Sequence, residues 1–181
     1  MVCNIVAEGV DPLLDSHHDQ TAMPGEQGDH SLLQLDHQLC FALYACSKEV
    51  TRLYRPLLQE LGLTYTQYVT LLALWERDGE PVKSLGSRLY LDSGTLTPLL
   101  KKLESMGLVN RVRDRADERM LRVNLTEAGQ AMRAKAGSIP RKLCEVTGME
   151  LRDLEALRLQ LQQLNAVIQH HYEEDSEHGE D

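Results

Sequence analysis

The stretch Leu108-Val109-Asn110-Arg111-Val112-Arg113-Asp114-Arg115-Ala116-Asp117-Glu118-Arg119-Met120-Leu121-Arg122-Val123-Asn124-Leu125 decides the fold of this 181-residue chain. Side chains alternate in character along residues 108–113 and 120–125, which predicts two β-strands with a polar hairpin between them. Residues 111–122 hold five arginines against three acids, although the whole chain carries a net charge of −9. The sequence therefore predicts a basic hairpin, a feature suited to a polyanionic partner.

Three helices are predicted in the residues that lead to this hairpin. Thr64-Tyr65-Thr66-Gln67 has the pattern of a capping box and starts the first helix. Pro81 can open a short second helix. The turn Leu91-Asp92-Ser93-Gly94, with Ser93 as a candidate N-cap, opens a third helix that Gly107 closes. Helices joined by a tight turn and followed by a basic hairpin indicate a winged helix-turn-helix, so the predicted fold class is mainly α with a small β-hairpin wing.

Long helices with a one-sided apolar stripe are predicted on both sides of this unit. Residues 32–58 repeat apolar side chains in steps of four and three, which suits packing against another long helix, and Pro56 should end or kink this helix. Thr126 is predicted to cap a helix that runs towards Leu143 with an irregularity at Pro140, and a last helix carries the second stripe. We expect the stripes to form a homodimer. They consist of Leu39, Leu43, Cys46, Val50, Leu53 and Leu57 in the first helix, and of Leu151, Leu154, Leu157, Leu161, Leu164 and Ile168 in the last.

Composition bounds the other properties of the chain. With 42% apolar residues the chain can bury one core, which we place in a single domain over residues 31–172. Residues 1–30 and 173–181 are polar and acidic, and we predict that both are disordered extensions. The longest apolar run is too short to cross a membrane, so a cytoplasmic protein is expected. The four cysteines lack the paired spacing of a zinc site, and neither a metal nor a cofactor is expected.

The third helix and the hairpin supply the candidate DNA contacts. A helix can enter the major groove with its N-terminal residues at the base edges, while lysines further along reach the phosphates. A hairpin tipped by arginine can enter a narrow minor groove. Arg119 is the predicted inserted residue, and Asp117 is predicted to hold its guanidinium. The full predicted set is Ser93, Thr95, Thr97, Lys101, Lys102, Arg113, Arg115, Asp117 and Arg119.

Several of these tracts resemble one known family. Asp117-Glu118-Arg119-Met120-Leu121-Arg122-Val123-Asn124-Leu125-Thr126 resembles the D-x-R-x-x-x-x-x-L-T wing signature of the multiple-antibiotic-resistance regulator (MarR) family. The runs Leu39-Cys40-Phe41-Ala42-Leu43-Tyr44, Thr64-Tyr65-Thr66-Gln67-Tyr68 and residues 89–102 are similar to the organic hydroperoxide resistance regulator (OhrR) branch. The resemblance covers residues 31–170. It implies a homodimeric repressor of a thiol peroxidase gene, with a pseudo-palindromic operator in double-stranded DNA as partner and organic hydroperoxides as inducer.

The resemblance also implies a redox sensor built on Cys40. Near a helix N-terminus and with donated hydrogen bonds, this thiol can have the lowered pKa that a reactive thiolate needs. Tyr54 and Tyr65 match family positions whose hydroxyls hydrogen-bond the thiolate from the partner subunit, and Tyr44 lies at i+4 from Cys40. Cys144 resembles the resolving cysteine of two-cysteine members, late in the fifth predicted helix. The implied product is a Cys40–Cys144 disulfide between subunits, formed through a sulfenic acid.

The residues also allow other interpretations. Cys46 is predicted to be a buried residue of the apolar stripe. Cys144, Tyr54 and Tyr65 can be ordinary core residues, since a buried phenol needs a partner in any case. For the whole chain, one alternative is a MarR-type regulator that a small phenolic ligand releases from DNA without redox chemistry. Another is a thiol peroxidase, but the predicted element order lacks the βαβ pattern usual for such enzymes. The chain is therefore not expected to be an enzyme.

Overall fold

The computed structural model describes residues 30–114 and 116–177, and these residues fall into two compact units, divided between residues 42 and 43. In the described part of the first unit, two short 3-10 turns, His30–Leu33 and Leu35–His37, precede a long helix. This helix, α1, covers Leu39–Gln59 and passes from the first unit into the second. The N-terminal extension is predicted to be disordered, and its residues 1–29 lie outside the described range, so this stays a prediction.

The second unit confirms the predicted winged helix-turn-helix. Its helices are mostly those that the sequence predicts, and its sheet carries the wing. The capping box at Thr64 is present, because Thr64 Oγ1 accepts from the Gln67 amide at 3.3 Å and Gln67 Oε1 accepts from the Thr64 amide at 2.9 Å. The elements are α2 (Tyr65–Glu76), β1 (Glu80–Pro81), α3 (Val82–Leu89), α4 (Ser93–Ser105), β2 (Val109–Arg113), β3 (Leu121–Leu125), α5 (Glu127–Ala136), α6 (Ile139–Thr147) and α7 (Leu151–Glu177).

A small aliphatic core holds these elements together. It is built from the end of α1, the helices α2 to α4 and the two strands of the wing. Complete burial of one such side chain stabilises a fold by about 1.5–3 kcal/mol, so this core fixes α4 against the sheet. Its aliphatic side chains exposed by 2% or less are Leu58, Leu71, Leu74, Leu85, Leu96, Leu100, Leu103, Val109 and Val123.

The sheet has one strand more than the sequence predicts. Its order is β1-β3-β2, all antiparallel, with Arg111 and Glu80 on either side of Val123. The strand β1 has only two residues, so it leaves no alternating pattern to recognise. Pro81 is tolerated there because β1 is an edge strand that can lack a donor. Pro81 also precedes α3, as predicted.

Prolines are expected to disturb two helices. Helix α1 does not end at Pro56, one of the two outcomes expected there, since it continues to Gln59 and the fully buried Leu58 anchors its last turn. The irregularity predicted at Pro140 is confirmed as a break in the helix that follows Thr126. This stretch is divided into α5, which ends at Ala136, and α6, which begins at Ile139. A proline ring clashes with the carbonyl four residues earlier, and for Pro140 that residue is Ala136.

The last helix extends further than expected. Helix α7 continues to Glu177, so the segment predicted to be disordered from residue 173 is helical as far as that residue. Adding residues to an existing helix costs little, and glutamate has a good helix propensity. Residues 178–181 lie outside the described range. Among the described residues, no helix is both long and apolar enough to cross a bilayer.

Candidate DNA-binding and redox site

Asp92 caps the N-terminus of α4, and Ser93, for which capping was the alternative to a DNA contact, does not. Asp92 Oδ1 accepts from the Thr95 amide at 2.9 Å, and Asp92 Oδ2 accepts from the Thr95 hydroxyl at 2.9 Å. These bonds from Thr95, the backbone one first, lower the pKa of Asp92 below its ordinary value. Ser93 is the first residue of the helix and is exposed. Its hydroxyl is therefore not used as the cap of this helix.

The outer face of α4 carries the polar residues that the sequence predicts for DNA contact. Ser93, Thr95 and Thr97 are exposed in the first two turns, and Lys101 and Lys102 are exposed further along. The leucines of the opposite face are buried in the core. The helix thus presents hydroxyls at its N-terminal end and cations towards its C-terminal end. This arrangement can contact base edges and phosphates, respectively.

Two arginines of the hairpin hold the wing in place instead of facing outward. The guanidinium of Arg111 donates to Glu104 Oε2 at 3.0 and 2.6 Å. The guanidinium of Arg122 donates to the carboxylate of Asp114 and to the carbonyl of Gly79, the latter at 2.8 Å. Hydrogen bonds from these guanidinium groups hold the pKa values of Glu104 and Asp114 below their ordinary range. The basic charge available to DNA is therefore smaller than the arginine count implies.

The tip of the wing is shaped by two aspartates that bind the main chain. Asp114 Oδ1 accepts from the amides of Ala116 and Asp117 at 2.7 and 3.2 Å. Asp117 Oδ1 accepts from the amide of Arg119 at 3.0 Å. The prediction that Asp117 holds the Arg119 guanidinium is corrected here, because this carboxylate forms a local turn of the kind common for aspartate. No ion pair of Arg119 is found among the described residues.

The arginines at the tip differ in their freedom. Arg119 is exposed on the turn. Arg113 is exposed as well, but its guanidinium donates to the Glu118 carbonyl at 2.9 Å. Arg115 lies outside the described residues. Arg119 is thus the described hairpin arginine that is best placed to enter a groove.

An aromatic cluster joins α1 to α2. The ring centroids of Tyr54 and Tyr65 lie 5.1 Å apart, those of Tyr54 and Tyr68 5.9 Å, and those of Tyr68 and Trp75 6.4 Å. Burial, followed by the neighbouring Tyr65, Tyr68 and Cys144, raises the pKa of Tyr54 to about 12. Tyr54 therefore keeps its proton at neutral pH and can donate a hydrogen bond. Cys144, on α6, is close enough for its charge to act on this hydroxyl.

Cys40 lies in the first turn of α1 and is exposed. Its position agrees with the prediction of a thiol near a helix N-terminus, where the helix dipole favours an anion. Tyr44, one turn later, contacts Lys48, whose ammonium donates to the tyrosine hydroxyl at 3.3 Å and lies 5.1 Å from the ring centroid. Tyr44 is thus engaged with a cation on the same helix.

The apolar stripes of α1 and α7 are largely uncovered in the single chain. Cys46 is exposed, so the prediction that it is buried is wrong for one chain by itself. Leu39 and Leu43 on α1, and Leu151 and Ile168 on α7, are exposed by 36% or more. Exposed apolar surface of this extent is typical of a surface that contacts another protein.

Sequence reasoning missed four residues that support this site. Asp114 begins a polar hairpin, and its turn-forming character is a signal that could have identified it. Glu104 pairs with a residue on a different element, and no spacing in the sequence indicates that contact. Tyr68 and Trp75 belong to α2, whose apolar residues the sequence indicates only as core residues.

A groove of about 790 Å³ lies between the second half of α1 and the start of α2. Its walls combine apolar, aromatic and cationic side chains. Leu58 and Leu63 contribute apolar surface, Tyr65 contributes a ring, and Arg52 and Arg55 contribute positive charge. The groove could therefore accept a small aromatic anion.

The chain is similar in sequence to known transcriptional regulators. The model of the family described as transcriptional regulator SarA/Rot matches residues 52–135. The organic hydroperoxide resistance transcriptional regulator of Bacillus subtilis is 47% identical over 130 residues, which cover 72% of this chain and 87% of that protein.

Solved structures of AbfR, a protein of Staphylococcus epidermidis, have a similar fold. Reduced AbfR bound to DNA is 32% identical, with a TM-score of 0.65, over 77% of this chain and 96% of that chain. Disulfide-formed AbfR is 35% identical, with a TM-score of 0.51, over 75% of this chain and 95% of that chain.

Proposed function

The chain belongs to the MarR family of winged helix transcriptional regulators, in the branch of the organic hydroperoxide resistance regulators, and from this premise we propose that it is a homodimeric repressor that organic hydroperoxides release from DNA. In this proposal the outer face of α4 and the tip of the wing contact the operator. Cys40 is the thiol that reacts with the peroxide, and Cys144 resolves its oxidised form. The regulator spans residues 31–172 and acts in the cytoplasm, where its DNA is found.

The observation that carries this proposal is the contact between Tyr54 and Tyr65, whose ring centroids lie 5.1 Å apart. The resemblance to the organic hydroperoxide resistance regulators implies that both hydroxyls bind the thiolate of a partner subunit and that Cys144 serves the resolving step. Tyr54 keeps its proton and can donate, and Cys144 is among the groups whose charge raises the pKa of Tyr54, which supports a place for the resolving thiol near this pair. A partner's Cys40 that reaches the tyrosines would therefore also be near its resolving thiol.

Helix geometry supports the proposal that the two halves of the sensor come from different chains. Cys40 and Tyr54 are fourteen residues apart on α1, and fourteen residues of α-helix extend over about 21 Å. A hydrogen bond between them within one chain is therefore excluded while α1 is helical. The uncovered apolar stripes of α1 and α7 offer the surface for a second copy.

The chemistry proceeds in two balanced steps. The Cys40 thiolate attacks the peroxide O–O bond, the alkoxide leaves and takes up a proton, and the products are a sulfenic acid and an alcohol. The thiolate of Cys144 then attacks the sulfenic sulfur. Hydroxide leaves as water after protonation, and a Cys40–Cys144 disulfide forms. The hydroxyls of Tyr54 and Tyr65 would stabilise the thiolate by charge-assisted hydrogen bonds.

The disulfide would act on the wing through two helices. Cys144 lies on α6, which follows α5 after a two-residue break. Helix α5 packs tightly against the start of the wing, since the amide of Thr126 donates to the Leu108 carbonyl at 3.1 Å. A covalent pull on α6 would thus displace the wing, change the spacing of the two DNA lobes and lower the affinity for a palindromic operator. Reduced AbfR bound to DNA and disulfide-formed AbfR are two solved states of a relative that agree with such a switch.

The test compares Cys40→Ser with Cys46→Ser, two identical substitutions of exposed cysteines on the same helix. Operator binding is measured before and after one equivalent of cumene hydroperoxide, together with a non-reducing gel and a mass spectrum. We expect Cys46→Ser to behave like the parent protein. We expect Cys40→Ser to bind DNA and to ignore the peroxide, whereas release of DNA from Cys40→Ser would refute the redox proposal.

A third variant, Cys144→Ser, separates the two steps. It should form a sulfenic acid or a mixed disulfide with an added small thiol, and it should not form a covalent dimer on the gel. A covalent dimer from this variant would assign the resolving role to another cysteine.

A second candidate function is supported by the groove at the end of α1. A MarR-type regulator that a small phenolic or aromatic anion releases from DNA would bind its ligand beside Tyr65, with Arg52 and Arg55 as counter-charges. Hydroxybenzoate is a suitable probe. Release of DNA by this probe from the Cys40→Ser variant, and its loss in Arg55→Ala, would favour the second function.

A further inference from the structure

The last helix contacts the DNA-binding lobe at the turn before the recognition helix α4. Asn165 of α7 donates from Nδ2 to the hydroxyl of Tyr90 at 2.8 Å. One turn further along the same face of α7, Gln169 lines a cleft of about 940 Å³ together with Tyr90 and Ser93. Helix α7 therefore reaches the helix-turn-helix at two successive turns, and the hydrogen bond to Tyr90 is a direct link between them.

Tyr90 has a backbone conformation that tyrosine rarely adopts. It is the C-cap of α3 and has a φ of 54°, in the left-handed region that glycine favours. Among the described residues, every other position with a positive φ is a glycine. Burial does not account for the tyrosine, because it is 66% exposed. A glycine would suit the turn better by itself, but it would lack the hydroxyl that Asn165 binds.

The turn that contains Tyr90 is packed tightly enough to transmit a displacement to α4. The amide of Leu91 donates to the Gly86 carbonyl at 2.9 Å. The carbonyl oxygen of Leu91 also approaches Gly86 so closely that a Cβ there would meet it at 3.0 Å. Asp92, the N-cap of α4, follows directly. Only Leu91 thus separates Tyr90 from the cap of the recognition helix, so a movement of Tyr90 would also move the start of α4.

The same part of α7 carries apolar surface that is open to a second copy of the chain. Leu161 and Ile168 are exposed by 40% and 41%. They lie four residues before and three residues after Asn165, so the three side chains are on one side of the helix. In the proposed dimer, a partner that packs on this side would set the position of Asn165. The bond to Tyr90 would then connect the dimer surface with the recognition helix.

We propose that Tyr90 is a positioning residue for DNA binding, which Asn165 holds so that α4 keeps the orientation in which it enters the groove. This inference rests on the proposed DNA-binding function and goes beyond it, because it assigns roles to two residues that belong neither to α4 or the wing nor to the redox site. The Tyr90 hydroxyl acts through the turn and not by contact with DNA. Cys40 and Cys144 are free thiols in this structure, so the bond belongs to the state that the proposed function assigns to DNA binding.

The experiment is a double-mutant cycle in the full-length, reduced protein. Tyr90→Phe keeps the ring and removes only the hydroxyl, Asn165→Ala removes the donor, and a third variant combines both. The matched control is Gln163→Ala, which truncates an exposed amide side chain on the opposite side of α7. Binding is measured by fluorescence anisotropy at several salt concentrations on one duplex, enriched from a randomised library by the parent protein.

We expect Tyr90→Phe and Asn165→Ala each to weaken binding roughly fivefold, which is the effect of one ordinary hydrogen bond. The combined variant should bind no more weakly than either single variant, because both substitutions remove the same bond. The dependence of log Kd on the logarithm of the salt concentration should keep the parent slope, since no phosphate contact is lost. The control Gln163→Ala should bind like the parent.

Tyr90→Gly separates positioning from stability. Glycine adopts the left-handed conformation without strain, so this variant should melt at or above the parent temperature. It should nevertheless bind the duplex at least as weakly as Tyr90→Phe, because the hydroxyl is absent. A loss of affinity that appears only together with a fall in the melting temperature would give Tyr90 a structural role and overturn the inference.

Three results of the cycle would also overturn the inference. Weaker binding by Tyr90→Phe but not by Asn165→Ala would mean that Tyr90 acts on DNA directly. Multiplied effects in the combined variant would show that the two side chains act independently. Unchanged affinity in all variants would remove the bond from DNA binding. If the parent protein enriches no duplex, the proposed DNA-binding function itself fails, and that result differs from equal binding by all variants.

Discussion

Replacing Gly129 with alanine tests how the wing is held against the helix behind it. A Cβ at this position would lie 2.1 Å from the carbonyl oxygen of Leu108, whereas ordinary contact begins at 3.4 Å. Helix α5 and the start of the wing would have to separate by roughly 1 Å, and such overpacking costs about 1–3 kcal/mol. We expect the upper value, about 3 kcal/mol, because the obstacle is a backbone atom and not a flexible side chain. For a chain of this length the melting temperature should then fall by about 6–12 °C.

Tryptophan fluorescence can detect this displacement of α5 directly. Trp75 is the single tryptophan, and its indole N–H donates to the Gly129 carbonyl at 2.9 Å. Its fluorescence should shift in Gly129→Ala even before unfolding, because the carbonyl moves.

The matched control is Gly137→Ala, at the C-terminal end of the same helix. Its φ of −61° suits alanine, and a Cβ there would meet its nearest atom, the Ala134 carbonyl oxygen, at 3.4 Å. This variant should be more stable than the parent by about 0.4–1 kcal/mol. Melting of Gly129→Ala at the parent temperature, with unchanged tryptophan emission, would refute the packing argument.

Four further predictions concern the wing and the sensor. Arg119→Ala should weaken operator binding by about 1–3 kcal/mol at fixed salt, and an unchanged Kd would remove this residue from the groove. Asp114→Asn should weaken DNA binding, because the guanidinium of Arg122 loses the carboxylate that holds it. Asp117→Asn is the control, since it changes the charge equally and keeps a side-chain oxygen that can accept the hydrogen bond of the turn. Equal DNA affinities of the two variants would contradict this prediction. The hydrogen bond from Arg122 is the main cause that lowers the pKa of Asp114. The Arg122–Asp114 pair should therefore stabilise the wing above about pH 4, and this stabilisation should be lost as the pH falls through the lowered pKa. Amide hydrogen exchange of the wing, measured as a function of pH, can follow the loss. Tyr54→Phe should slow the oxidation of the reactive thiol about tenfold or more, and stopped-flow detection of the sulfenic acid at an unchanged rate would exclude the tyrosine from that step.

The local elements with strong signals were predictable from the sequence. The capping box at Thr64, the hairpin strands and the glycine that closes α4 each depend on residues that are neighbours in the chain. Gly107, for example, has a φ of 69°, as a helix-ending glycine should. In each case the information lies within a few residues, so a sequence pattern is sufficient.

The features that were missed depend on contacts between distant residues. The strand β1 exists because Glu80 pairs with Val123, and nothing near Glu80 indicates that partner. The capping role passed to Asp92 because its carboxylate reaches both donors of Thr95, which a list of favourable cap residues does not reveal. The candidate redox site was predictable only in part, since its components lie on different helices and, in the proposed dimer, on different chains.

The arginines of the wing have different roles, and this difference has an evolutionary consequence. Arg111 and Arg122 are committed to the carboxylates of Glu104 and Asp114, so a substitution at either position would disturb the fold. Arg119, on the tip, forms no such ion pair among the described residues. Operator preference can therefore drift through substitutions at the tip while the base of the wing stays constant, and duplicated genes of this design could acquire separate regulons without first acquiring compensating mutations in the core.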